Sequence, residues 1–203
     1  RTLGDIKKEK HIFLYLLSFF FFIDGVYTII SMATAYGSSL GLNSTGLLLA
    51  LLVTQIVAFP CALFFSRLSK QYETSSLMKV CILAYTGISL FAIQLDKQWE
   101  FWFLAVMVGM FQGAIQALAR SYFAKIIPAE KSGEYFGIYD ICGKGASFMG
   151  TTLVGVVAQI THVTNAGVAM ISIMFVIGFL LFCKAAKLNQ GSERRNSEGV
   201  QPR

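Results

Sequence analysis

Several side chains sit where an apolar chain has least use for them. Asp24 lies near the middle of an uncharged run, with Tyr27, Thr28 and Ser31 following at helical spacing. Gln112, Gln116 and Arg120 recur at strict four-residue steps. Asp140 and Lys144, four apart, stand at the head of a long apolar and small-residue run. Thr54 and Gln55 interrupt another such run, just before Pro60. These types suggest three kinds of chemistry. An acid in an apolar segment binds a proton or an amine. A row of amides hydrogen-bonds a polar solute or a neighbouring helix. Opposite charges four residues or one turn apart form ion pairs.

Catalysis is not among them. The sequence holds no GxSxG, HExxH or Walker loop, and no His within an apolar segment to serve a nucleophile as base. His11 and His162 fall at opposite ends and imply no metal site. Cys61, Cys81, Cys142 and Cys183 form no CxxC and read as small apolar fillers. The expectation is therefore no enzyme, no catalytic residue, no metal and no cofactor.

The elements that would carry these residues are helical and membrane-spanning. Only 14% of the 203 residues are charged and 55% are hydrophobic. Soluble domains carry about a quarter charged residues. Six apolar segments of about 20 residues are long enough to cross a bilayer. They run roughly 12–36, 46–65, 77–95, 101–119 with an extension to 127, 135–160 and 166–183. Open strands cannot satisfy their backbone in lipid, so helices are predicted. This makes an all-α polytopic membrane protein: a linker over 1–11, a six-helix bundle over 12–185 and a polar, disordered tail over 186–203. Lys and Arg gather at one set of segment ends, with only Lys97 at the other. That bias puts the linker, the tail and both termini on the cytoplasmic side. It also accounts for the net charge of +6 without a nucleic-acid partner, because the basic residues are spread over several short segments.

Polar residues mark segments 1, 2, 4 and 5, whereas 3 has no charge between Cys81 and Gln94 and 6 none between Ala166 and Cys183, so both read as lipid-facing. The order polar, polar, apolar occurs twice, as in two inverted three-helix repeats of a transporter. Asp24, Thr28, Gln55, Gln112 and Gln116 are the candidates for substrate or proton binding. Plainer roles exist for each: a hydrogen bond between helices for Asp24, and helix–helix glue for the glutamines. Gly109 and Gly113 form a close-packing GxxxG.

The turn near Glu130 predicts one contact. In an antiparallel pair, residues equally distant from the turn share a depth. Arg120 and Asp140 are each ten residues away, and Gln116 and Lys144 each fourteen. An Arg120–Asp140–Lys144 network is expected there, either as a gate or as a static tie.

Three stretches carry a resemblance: "FIDGVYTIISMATAYG" (22–37), "TQIVAFPCALFFSRL" (54–68) and "GMFQGAIQALARSYFAKIIPAEKSGEYFGIYDICGK" (109–144). The chain resembles the carboxy-terminal half of a major facilitator superfamily transporter, in the branch of the autophagy-linked vacuolar amino-acid effluxers and their bacterial relatives. The resemblance implies a twelve-helix rocker-switch transporter in a bacterial cell membrane or a vacuolar membrane. This chain would supply the last six helices, with an amino-terminal six-helix half as its partner and a small solute as cargo. Helices 1 and 4 would line the cavity, 2 and 5 form gates, and 3 and 6 lie peripherally. Amino acids are then the implied solute class, and proton coupling an option. One departure is "SRLSKQYE" (66–73), where Lys70 stands in place of the superfamily's loop acid. Two alternatives remain: a non-transporting membrane scaffold or sensor, and a truncated half that needs a partner bundle.

Overall fold

Turn chemistry divides the described residues into six long helices. The computed structural model describes residues 9–39, 41–94, 97–161 and 164–198. Helix α1 spans Lys10–Ser39, α2 Ser44–Leu68, α3 Thr74–Ala92, α4 Gln98–Ile126, α5 Ser132–Thr161 and α6 Thr164–Glu198. Gly41 takes a positive φ of 81° in the turn before α2. The Asn43 side chain then accepts a hydrogen bond from the Gly46 amide and caps α2. Ile127 is extended, as a residue before proline tends to be, and ends α4 ahead of Pro128. A single 3₁₀ turn, Ala129–Lys131, leads into α5. No strand occurs among the described residues. All four cysteines are free thiols.

Five of the helices are long and apolar enough to cross a membrane: α1, α2, α3, α4 and α6. The expected fifth span, 135–160, is helical throughout, and the 30 residues of α5 make a rod of about 45 Å, longer than a bilayer core of about 30 Å. Glu134, Asp140 and Lys144 occupy its first half, and Thr151, Thr152 and Gln159 its second.

The packing has a two-fold logic. Helix α1 packs most extensively on α6 and then on α5, while α4 packs on α2 and then on α3. The second helix of each triplet therefore crosses onto the first helix of the other triplet. Helices α3 and α6 close the back of the bundle against each other. Small residues allow the close crossings. A Cβ on Gly109 or Gly113 would press within 3 Å of the α2 carbonyls of Thr54 or Ala58. The Ser18 hydroxyl donates to the Gly178 carbonyl at 2.6 Å, locking α1 to α6.

Two expectations need correction. Helices α3 and α6 are not simply lipid-facing: half of the α3 span is buried, against 17% of the α2 span. The Ser172 hydroxyl donates to Ser89 across their seam at 2.9 Å, and Tyr85 stacks on Phe175. The reason is geometric. Helix α6 packs along α1 and α3 along α4, and the two also meet each other, so each turns a face to protein. Helix α2 leans chiefly on α4 and leaves Leu48, Leu52, Ile56, Phe59 and Leu63 exposed. The second correction concerns the tail expected from 186. The backbone stays helical through Glu198, and Gln190 donates to Glu73 at 3.1 Å, tying this extension to the α2–α3 turn. Residues 199–203, and 1–8 of the expected linker, lie outside the described residues.

Candidate functional site

An aromatic cluster fixes the helices around a cleft. At the end of the bundle that holds the α4–α5 turn, Phe19 of α1 stacks on Tyr139 of α5, with ring centroids 4.0 Å apart. Phe123 of α4 stacks on Tyr139 at 5.0 Å and on Tyr15 at 5.7 Å. The buried Tyr15 hydroxyl donates to the Ala119 carbonyl at 2.7 Å. Three helices are thereby held at fixed depth.

Above this cluster lies a cavity of about 500 Å³. Helix α1 contributes Phe19, Ile23 and Tyr27; α4 contributes Gln116, Ala117 and Arg120; α5 contributes Tyr139, Asp140 and Lys144. The structure brings Arg120 and Asp140 together: Nη2 donates to Oδ1 at 2.8 Å. The guanidinium carbon also sits 5.8 Å and 5.9 Å from the Tyr139 and Phe136 ring centroids, within cation–π range. Both side chains of the pair are more than half exposed in this chain. The pair therefore resembles a surface ion pair, with a direct contribution of about 0–1 kcal/mol, not the costly buried pair its intramembrane position suggests. Lys144 lines the same cavity but forms no ion pair among the described residues. The Asp140 carboxylate is turned across to α4, where a guanidinium offers better hydrogen-bond geometry than an ammonium on its own helix.

Asp24 belongs to a second, deeper locus. It is fully buried, and neither Oδ1 nor Oδ2 makes a hydrogen bond of ordinary geometry among the described residues, its polar neighbours being the Gly150 backbone and the Thr28 hydroxyl. The Thr28 hydroxyl, one turn further along α1, is likewise buried and without such a bond among the described residues. Both lie against Gly150 of α5. A Cβ built on Gly150 would overlap Asp24 Oδ1 and Thr28 Oγ1. Gly150 is six residues beyond Lys144, about 9 Å further from the turn. Ile23 and Tyr27, the neighbours of Asp24 and Thr28, face the cavity, so the two loci adjoin through α1.

The other predicted residues fall elsewhere. Gln55 is exposed on α2, outside the cavity; its neighbour Thr54 takes the inward place and donates to the Ala50 carbonyl at 2.9 Å. Gln112 is half-buried, and its buried Oε1 has no partner among the described residues. Sequence reasoning missed Gly150. The available signal was its small size on the helix that must cross α1. No group of three potential metal ligands occurs among the described residues, and His162 lies outside them.

Comparison with known proteins gives this arrangement a family. The MFS-type transporter YxiO of Bacillus subtilis, itself uncharacterized, is 42% identical over 181 residues, covering 89% of this chain and 42% of YxiO. Autophagy-related protein 22 of Kluyveromyces lactis is 23% identical over 193 residues, covering 89% of this chain and 39% of that protein. The Saccharomyces cerevisiae protein of the same name is 28% identical over 165 residues, covering 75% and 31%. The chain thus spans less than half the length of these curated relatives. The vacuole effluxer Atg22-like family model matches residues 1–195, and with that match this multi-pass, all-helical chain belongs to the Atg22-like family.

Proposed function

We propose that this chain is the carboxy-terminal six-helix half of a secondary transporter of small solutes, working by rocker-switch alternating access beside an amino-terminal six-helix half. The observation that carries this reading is Asp24: a buried acid with no ion-pair partner among the described residues, in a helix that also lines a polar cavity. A scaffold has no use for such a group. Leaving a buried polar group unpaired destabilises a fold by about 1–3 kcal/mol, and an unpaired charge by more.

The cavity suits the solute. Lys144 and Arg120 attract an anionic group, Gln116 offers an amide, and aromatic rings form the floor. A carboxylate-bearing solute of amino-acid class fits this chemistry, and the family resemblance supports it. The Arg120–Asp140 pair, at the cavity's mouth, acts as a gate tie between α4 and α5. Asp24 is the group through which transport is coupled. The exposed apolar face of α2 suits lipid or the partner half.

The Lys and Arg bias supports placing the α4–α5 turn in the cytoplasm. Cysteine labelling of sealed cells tests that: Lys131→Cys should be shielded from an impermeant external reagent and Lys97→Cys should react. External labelling at 131 would overturn the orientation. For the activity, the full-length protein is reconstituted in proteoliposomes and tested with labelled amino acids. Flux above that of empty liposomes is expected. No flux with any of them, from correctly inserted protein, would favour the scaffold alternative.

A further inference from the structure

We infer that Asp24, Thr28 and Gly150 form a site that admits a proton and nothing larger, and that α5 must part from α1 at Gly150 before the proton can leave. This rests on the transporter reading and narrows it: the solute occupies the cavity and does not touch Asp24.

Three observations point this way. First, the site has no room. The Gly150 backbone lies so close to the carboxylate that even a methyl group there would overlap Oδ1 and Thr28 Oγ1. A sodium ion needs several oxygen ligands around it, and an amine needs three acceptors; a proton needs only a carboxylate oxygen. Second, the site has no compensating charge. On α5 the facing residue is Gly150, and the nearest cation along that helix is Lys144, six residues away. On α6 the residues packed around this part of α1 are Phe175, against Gly25, and Gly178, against Phe22. On α4 the cation at the cavity is Arg120, already paired with Asp140. No ion pair among the described residues involves Asp24. An isolated carboxylate cannot be held charged in such surroundings, whereas the neutral acid can. Third, the lid is a single helix. The α1–α5 seam covers Asp24 at Gly150, and the same α5 carries Asp140 and Lys144 into the cavity. A movement of α5 that admits solute at the mouth also uncovers the acid.

The proton balance is simple. With the seam closed, Asp24 is a carboxylic acid. Parting the seam lets water in, and the acid gives its proton to water on the side that has opened. The carboxylate must take up a proton again before the seam can close.

Infrared difference spectroscopy of the full-length protein tests this directly. The wild-type spectrum minus that of Asp24→Asn should contain a neutral carboxyl stretch at neutral pH, unchanged on replacing potassium with sodium. In Gly150→Ala, which props the seam open, that band should be lost and a carboxylate band should replace it. Gly155→Ala, on the same helix where a Cβ meets nothing within 4 Å, should keep it, which separates seam opening from a general effect of substitution in α5. A carboxylate band in closed wild-type protein, or one that appears only with sodium, would overturn the proton site. So would a carboxyl band that shifts when solute is added, since Asp24 would then touch the cargo. The spectrum reads the acid whether or not flux occurs, so absent flux would count against the transporter reading alone.

Discussion

The α2–α4 and α1–α5 seams are equivalents under the two-fold arrangement of the triplets, and both depend on glycine. They use it for different ends. On the α2–α4 side, Gly109 and Gly113 of α4 bring two backbones together along Thr54 and Ala58, and the Thr54 hydroxyl is satisfied by the Ala50 carbonyl. On the α1–α5 side, Gly150 clears space for a carboxylate and a hydroxyl that make no hydrogen bond of ordinary geometry among the described residues. One seam is a sealed joint and the other encloses a buried acid. A scaffold of inverted repeats does not oblige its halves to share a function: a single acid, placed in one seam and not in its equivalent, makes the difference.

Substitutions that exchange the character of the two seams test the contrast. The largest effect is expected at Asp24. Asp24→Asn should reduce pH-gradient-driven transport to background while leaving insertion and yield unchanged; normal driven flux would remove Asp24 from the mechanism. Next is Gly113→Leu, which overpacks the sealed seam and should destabilise the bundle by about 1–3 kcal/mol in a detergent unfolding assay. Its residual flux should keep the wild-type pH dependence, and a changed pH profile would mean the sealed seam also takes part in coupling.

Helix positions and the Arg120–Asp140 contact were legible in the sequence, because apolar length and distance from a turn determine them. The chain position of Gly150 was visible, but its meaning was not: it depends on α5 crossing α1, a tertiary fact that no local pattern encodes. Thr54 and Gln55 show the same limit at finer scale. Adjacent residues on a helix differ by about 100° in direction, and a run apolar on every side gives no phase by which to choose between them. The burial of α3 and α6 was missed for a related reason, since freedom from charge looks the same against lipid and against protein.

Two smaller effects concern the turn-bearing end of the bundle. Arg120→Ala and Asp140→Ala should each slow transport, and the swap Arg120→Asp with Asp140→Arg should recover part of it. Because the pair is more than half exposed, its coupling in a double-mutant stability cycle should be under about 1 kcal/mol. A coupling of zero with unimpaired transport would leave no gate. The smallest effect involves Glu73, outside the spans. Hydrogen bonds from Ser75 and Gln190 hold its carboxyl below the usual carboxylate range. A depressed folded-state value means the stabilisation is present above the unfolded value of 4.5 and disappears as pH falls through the folded one. Limited proteolysis should therefore find the α6 extension more readily cut in acid than at neutral pH. Gln190→Ala should weaken that dependence, and an unchanged one would show that this tie does not hold the extension.

The central claim, that Asp24 carries a proton and not the solute, is tested most directly by comparing two fluxes in proteoliposomes of the full-length Asp24→Asn protein. Solute exchange at equal pH needs no net proton movement, whereas uptake driven by a pH gradient does. The predicted result is exchange at near wild-type rate with driven uptake lost. Loss of both together, in protein that is folded and inserted, would contradict the account and make Asp24 part of the solute site.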